Sequence, residues 1–406
     1  MNQGIASLLG LQSWIVYRVE AQRDRIDVYA GRPRKEARCP RCGSVTRSVY
    51  DRSQQWRRKL HTWCNGVPVF LWVRPRRFRC RECQKVFTER LPGIRPWARR
   101  TERAEAQLLE ELAGRSFRGA AAATGTSPHT LRRLLLQCVQ DGVDLERALQ
   151  DLPEVVLGID EHSFRGRDMM ITVTCVAPER RLLALLPHDR VRLLEQFLRK
   201  LPASVREKIR AVCIDLKEGW RRAVERALPG VPVVADPFHV IQDANRRVDE
   251  ARRVEQEVTG QRIPRWALVK NEENLTAKQA AQLAAIRKRH KNVAHFHWVK
   301  EQLRDVYRTS SREEAAKIVD RLILNTQEAE DAALVQWGRT LRRWRTAILA
   351  FHEHQASNGY TEGVHTKIKL IKRLSYGFRN RAVYVRKMLL AFLPLAWLTA
   401  GPHFLT

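Results

Sequence analysis

The spacing of apolar and polar positions changes three times along the chain. Up to about residue 100 the apolar residues come in short runs between turn residues, as in Val67-Pro-Val-Phe-Leu-Trp-Val73, which predicts a β-rich domain over 1–100. Residues 102–113 take helical spacing, and Ser116 to Leu136 reads as two short helices about a tight turn. There Ala121, Gly125, Leu131 and Leu134 have helix-turn-helix spacing, Gly125 can supply the positive φ of the turn, and Ser127 can cap a helix that opens on Pro128. The second helix would present His129, Thr130, Arg132 and Arg133 to a DNA groove or its phosphates, so 101–150 is expected to be a helix-turn-helix domain that binds DNA. An ordinary helical hairpin has a similar pattern.

From Leu152 the apolar runs become continuous. Segments 155–160, 169–176 and 181–186 predict three strands; a helix over about 191–200, a strand over 209–215, a helix through Trp220 and Val224, and a strand over 231–236 follow. This β-β-β-α-β-α-β order predicts an α/β fold with a mixed sheet over 151–258, its first and fourth strands side by side. Past Val240 the chain turns helical and carries Trp266, Trp298, Trp337 and Trp344. Residues 259–345 read as a helical insertion, and 346–406 as C-terminal helices of the same core. Between Ser357 and Arg373, Thr361 can cap a helix with Glu362 in its first turn. Val364, Ile368 and Ile371 form its apolar stripe, while Glu362, His365, Thr366, Lys369 and Arg373 share another face, toward a phosphate backbone.

Asp160 ends the first of these strands and Asp215 the fourth, and two carboxylates meeting at neighbouring strand ends suit a hard divalent cation. With Glu362 they can hold a pair of magnesium or manganese ions about 3.5 to 4 Å apart, the arrangement that cleaves and transfers phosphodiesters. Each acid taken alone is equally well read as a helix cap or a salt-bridge partner; their repetition at strand ends of one sheet favours a site.

Charge sharpens the picture. The chain has 406 residues, enough for two to four domains, and its 74 Lys and Arg against 44 Asp and Glu leave a net charge of +30. The first hundred residues alone hold 23 basic against 7 acidic side chains. Such an excess repels itself unless a polyanion neutralises it, which points to double-stranded DNA; a membrane surface is the rival, but no single basic amphipathic helix concentrates the charge. With no apolar run long enough to span a bilayer and no signal-peptide pattern, a cytoplasmic, nucleoid-associated protein is expected. Of eight cysteines, Cys39-Pro-Arg-Cys42 and Cys80-Arg-Glu-Cys83 have the spacing of a four-thiolate structural zinc site. A disulfide framework is the alternative, disfavoured in the cytosol. Cys64 and His61 lie near enough in sequence to substitute as ligands. Around the second pair, Arg74 to Cys80, with Trp56, Arg57, Arg58 and Lys59 before it and Arg95, Trp97, Arg99 and Arg100 after it, interleaves arginine and aromatics. That composition can meet phosphates by charge and bases by stacking, although a solvated basic face looks alike.

Three segments together carry a likeness: Gly158-Ile-Asp-Glu-His-Ser-Phe-Arg-Gly166; Ala235-Asp-Pro-Phe-His239 with Asn245, Arg252 and Arg253; and Ser357-Asn-Gly-Tyr-Thr-Glu-Gly363 through Ile368-Lys-Leu-Ile-Lys-Arg373. They resemble the ISL-three (ISL3) family of bacterial insertion-sequence transposases, over almost the whole chain. The resemblance implies a ribonuclease-H-like catalytic domain with an Asp, Asp, Glu (DDE) triad and a helical insertion before the glutamate. It also implies an N-terminal zinc-binding domain and a helix-turn-helix that recognise terminal inverted repeats. The first acid falls on Asp160 and the glutamate on Glu362. For the second, Asp215 is expected because only neighbouring strand ends share a metal shell, with Asp236 as the alternative. Asp236 and His239 then support the site or position DNA. His365 stands where the family pattern leads one to expect Asn. The expected activity is metal-dependent strand cleavage and strand transfer by a homodimer that cuts two ends in concert. The rivals are a catalytically silent DNA-binding regulator derived from such an element and a structure-specific nuclease.

Overall fold

The structure, a computed structural model, describes residues 3–33, 35–52 and 55–399; the tail 400–406 of the expected C-terminal segment lies outside them. The chain divides into two compact units, one of residues 1–142 with 369–406 and one of residues 143–368.

In the first unit, strands β1 (Ile15–Ala21), β2 (Ile26–Gly31), β3 (Arg57–Cys64) and β4 (Val67–Val73) form a sheet in the order β1-β2-β4-β3. The β3-β4 hairpin closes on Asn65 and Gly66, both at positive φ (49° and 80°), which suits the twist of a tight hairpin. One face of the sheet buries Val28, Ala30, Val69, Leu71 and Val73 against Leu11 and Trp14. The other stacks Tyr29 on Trp72, ring centroids 5.7 Å apart, with Arg18 over Tyr29. Five short strands around the cysteine pairs, among them Arg76–Arg79 and Val86–Thr88, enclose a second core of little more than Ala37, Phe78 and Phe87. Burial on that scale does not hold a fold by itself, and a metal knot is the usual supplement.

Three helices follow: α1 (Glu102–Ala113), α2 (Phe117–Thr124) and α3 (Pro128–Cys138). Ser116 Oγ accepts from Gly119 N and Ser127 Oγ from Thr130 N, and Gly125 turns the chain at φ 63°. Ala121, Leu131 and Leu134 are buried between them. The C-terminal helix Arg381–Phe392 packs on α1 and α3, with Tyr384, Met388 and Leu389 fully buried and Lys387 Nζ donating to the Ala113 carbonyl at the end of α1. From Lys369 onward the chain belongs to the first unit, because the apolar sides of α1 and α3 need this helix as their cover.

The second unit is a mixed α/β fold. Its sheet has the order β7-β6-β5-β8-β9, from β5 (Val155–Arg165), β6 (Asp168–Ala177), β7 (Arg181–Leu186), β8 (Ile209–Ile214) and β9 (Val233–Ala235). β5, β6 and β7 are antiparallel neighbours, whereas β8 and β9 run parallel to β5. β5 runs five residues beyond the expected strand end, because the β5-β6 hairpin pairs out to Arg165 and Asp168. The β8 strand is buried at five of its six positions, as expected of a strand covered on both faces. Helix Glu218–Ala227 rests on β8 and β9, and helix Ala332–Leu349 runs against β9. α4 (Pro237–Thr259) starts directly after β9, and the helices from Trp266 to His354 share one core with the sheet through Trp220, Trp337 and Trp344. α5 (Gly359–Leu374) begins in this unit. No helix of the described residues is long and apolar enough to cross a membrane.

Replacing Gly125 with Ala puts a side chain at φ 63° and is expected to lower stability by about 1 to 2 kcal/mol. Equilibrium urea denaturation of the full chain would measure it; an unchanged midpoint would mean that the turn does not constrain the fold.

Candidate active site and metal centres

β5 and β8 pair in parallel register up to Ile159 opposite Ile214, so Asp160, midway along β5, and Asp215, just past the end of β8, come side by side. Ligand atoms of Asp160, Asp215 and His239 lie within 4.8 Å of one another. His239, in the first turn of α4, has Nδ1 2.8 Å from Asp215 Oδ1 and 2.7 Å from Asp236 Oδ2, and the hydrogen bond goes to Asp236. Asp236, one strand further along, is 1% exposed, and its other oxygen accepts from the Asn358 backbone N at 3.1 Å. Of the two candidate second acids, Asp215 faces Asp160 while both oxygens of Asp236 are engaged by His239 and Asn358.

Charges this close under cover shift one another. Burial, reinforced by the neighbouring Asp215 charge, lifts the Asp160 carboxyl to about 7. Burial pulls the His239 imidazole down, but the close carboxylates of Asp215 and Asp236 outweigh it and raise it to about 10. One atom is left over: Asp215 Oδ1 is buried with no aligned hydrogen-bond donor, although His239 Nδ1 is near. A buried carboxylate oxygen without a donor, facing a second carboxylate, fits a hard divalent cation.

α5 supplies the cover. Asn358 caps it, its carbonyl accepting from Glu362 N, and its Nδ2 donates to the Ile159 carbonyl beside Asp160. Gly158 makes this approach possible: a Cβ there would lie 2.6 Å from Asn358 Oδ1 and 2.8 Å from Thr174 Oγ1. Thr361 lies inside the helix and not at its cap, because its hydroxyl meets Thr174 Oγ1 at 2.7 Å and Asn358 has the capping position. His365 leaves the expected polar face as well. It is buried with Val364 and Ile368, bonds Thr172 Oγ1 at 2.9 Å through Nε2 and approaches Asp160 Oδ2 to 3.5 Å through Nδ1. His162 bonds the same Thr172 hydroxyl from the other side. Glu362 is exposed, three residues before His365 on this helix, and is not in the group formed by Asp160, Asp215 and His239. Lys369 and Arg373 are exposed further along α5. Sequence reading assigned no role to Asn358, Thr172 or His162; polar residues inside otherwise apolar strands and an Asn directly before a helix were the available signals.

In the first unit the four paired cysteines converge, with Sγ atoms 3.6 Å apart for Cys39 and Cys83 and 3.5 Å for Cys42 and Cys80. Hydrogen bonds from Ser44 draw the Cys42 thiol down to about 6, toward the thiolate a zinc ion needs. Neither rival ligand takes part: Cys64 is exposed at the end of β3, and His61 bonds Thr101 Oγ1 and the Leu9 carbonyl. On α3, His129, Arg132 and Arg133 are exposed, and Thr130 is half-buried with its hydroxyl on Ser127. A third cluster, Glu272, His297 and Glu301, already has its carboxylates paired with Arg287, Lys300 and Arg304.

Comparison with known proteins found three matching family models. Residues 157–388 match a model described as transposase, 89–139 the helix-turn-helix domain of transposase family ISL3, and 35–83 the zinc-finger of transposase IS204/IS1001/IS1096/IS1165. The chain is 25% identical to the transposase for insertion sequence element IS1001 of Bordetella parapertussis, over 95% of this chain and 97% of that one. It is 28% identical to the transposase for insertion sequence element IS1557 of Mycobacterium tuberculosis (strain CDC 1551 / Oshkosh), over 92% and 88%. Among solved structures, the Drosophila P element transposase strand transfer complex aligns with 13% identity and a TM-score of 0.42, over 73% of this chain and 92% of that one.

Two outcomes follow from the site. Gly158→Ala should cost about 1 to 3 kcal/mol in chemical denaturation, since the Asn358 and Thr174 side chains that it meets are packed. The second concerns pH. Because Asp160 is raised to about 7 from the ordinary 3.8, its stabilising contribution without metal is full below about 4 and lost as pH rises through 7. His239, raised to about 10, loses its contribution only at higher pH. A cation must displace the Asp160 proton, so the thermal stabilisation by manganese should be larger at pH 8 than at pH 6, and Asp160→Asn should abolish that difference.

Proposed function

The chain belongs to the ISL3 transposase family, and from that premise we propose that it binds the terminal inverted repeats of an insertion sequence, cuts the DNA there and joins the freed ends to a target, with Asp160, Asp215 and Glu362 as its acidic triad. The observation that carries the site assignment is the pair of buried carboxylates on adjacent parallel strands, one with an oxygen that has no donor. Three antiparallel strands continued by two parallel ones support a ribonuclease-H-like reading of this core, with 259–345 as a helical insertion before the glutamate. When bound, two divalent ions, magnesium or manganese, supply the positive charge that activates an attacking oxygen and stabilises a leaving one.

Asp160 and Asp215 are the fixed members of the set, held by burial and by the Asn358 and His239 contacts; Glu362, exposed on α5, is the adjustable one. His239 and Asp236 position Asp215. On this reading water hydrolyses a strand at the element's end, and the freed 3′ hydroxyl attacks a phosphodiester of the target, so no covalent protein intermediate is required. His129, Thr130, Arg132 and Arg133 of α3 face the DNA grooves, and Lys369 and Arg373 contact phosphates. One zinc ion on Cys39, Cys42, Cys80 and Cys83 holds the N-terminal fold as a structural ion. Two ends handled in concert call for a homodimer, and the net charge of +30 suits a cytoplasmic protein that stays near the nucleoid.

The test is excision from a plasmid that carries the gene with its native flanks, read by amplification of the junctions. Wild type should give junctions, while Glu362→Gln and Asp215→Asn should give none and still retard the flanking DNA. Equal junctions from Glu362→Gln would remove Glu362 from the triad. Loss with Asp236→Asn but not with Asp215→Asn would reassign the second acid.

A further inference from the structure

The first unit has a cleft of about 570 Å³, lined by none of the paired cysteines and within the range of small-ligand sites, about 300–1,000 Å³. Its walls divide by chemistry. Leu91 and Ile94 line an apolar part, and the exposed residues Arg57 and Arg90 line a basic one, whereas the guanidinium of Arg58, also on the wall, turns to the other face of the sheet over Phe70. Among the described residues neither Arg57 nor Arg90 has an ion-pair partner. The one acid in the wall, Glu89, is buried and fully engaged by Arg76, through its backbone N at 2.7 Å, Nε at 3.0 Å and Nη2 at 2.8 Å, so it does not offset the others. Cations are crowded here: Lys59, also in the wall, is held below its ordinary value by burial and then by Arg57 and Arg99.

At the same cleft stands Trp97, 89% exposed. It occupies the third position of the turn Arg95-Pro96-Trp97-Ala98, closed by Ala98 N donating to the Arg95 carbonyl at 3.0 Å, and its φ is 64°. A turn with Pro second and a positive φ third ordinarily has Gly there. A bulky side chain in that backbone region, left almost wholly in solvent, contributes little to folding and is the kind of strained feature that clusters at ligand sites.

We infer that this cleft receives one nucleotide drawn out of the bound DNA, its base stacked on Trp97 over the apolar wall and its phosphates on Arg57 and Arg90. The inference rests on the DNA-binding reading above and names a role for residues that the helix-turn-helix and the carboxylate site do not use. A flat aromatic ligand with attached negative charge matches both walls at once; a fully paired base matches neither, because it stays in its stack.

The test uses the full-length protein and two short duplexes of one sequence, one fully paired and one with a single unpaired 2-aminopurine. Wild type should bind the unpaired duplex about tenfold more tightly, as expected for one stacked base, and quench the 2-aminopurine. Trp97→Gly suits the positive φ and so keeps the fold; it should lose both the preference and the quenching while binding the paired duplex as wild type does. A preference that survives in Trp97→Gly, or a wild type that binds both duplexes equally, overturns the nucleotide cleft and leaves the DNA-binding reading standing. Failure to bind either duplex overturns both. Displacement of the unpaired probe by polyglutamate but not by a mononucleotide would assign the cleft to an acidic peptide and overturn it as well.

Discussion

Two buried carboxylates side by side on neighbouring parallel segments, one within β5 and one just past β8, repel one another, and a layer of polar contacts surrounds that repulsion. Parallel register brings Asp160 and Asp215 side by side, with ligand atoms within 4.8 Å of one another. The surroundings supply positive charge and donors in layers. His239 stands between Asp215 and Asp236, Asn358 ties Asp236 to the strand that carries Asp160, and His365 reaches Asp160 from beneath α5. What these groups leave unsatisfied, one buried oxygen of Asp215, is the opening for a cation. Asp160, raised to about 7, reports the same imbalance from the other side: the two negative charges are not both at ease until a positive one arrives.

The cover helix depends on a residue that has no side chain. α5 approaches the sheet closely enough for Asn358 to bond the Ile159 carbonyl only because Gly158 leaves room, and the Thr174 to Thr361 contact, directly across on the neighbouring strand, depends on the same spacing. The glycine, the asparagine and the two threonines therefore act as one unit that fixes the height of the start of α5, and with it Glu362, above the sheet.

The first unit solves a different problem, that of size. Its cores are small, and it substitutes directed interactions for buried area: four converging thiols, two serine helix caps, and a C-terminal helix that returns to close the helix-turn-helix. Its exposed surface then carries arginine and aromatic side chains in quantity, which suits a domain of an ISL3 transposase that meets nucleic acid.

The sequence by itself determined the local features. Ser127, Pro128 and Gly125 act through their own backbone geometry, the CxxC pairs aim their sulfurs within four residues, and continuous apolar runs ending in Asp160 and Asp215 mark buried strands whose order leaves few topologies. Only the tertiary structure decided the long-range pairings. Helical periodicity put His365 on the polar face of α5, but the sheet beneath offers Thr172 and Asp160, and these hydrogen bonds outweigh exposure. Thr361 looked like a cap until Thr174, on the sheet below, engaged its hydroxyl, and the last helix of the first unit found its cover partners in α1 and α3. In each case a side chain's partner lies more than a hundred residues away, and periodicity, which records a residue's neighbours along the chain, carries no information about what will be packed against it.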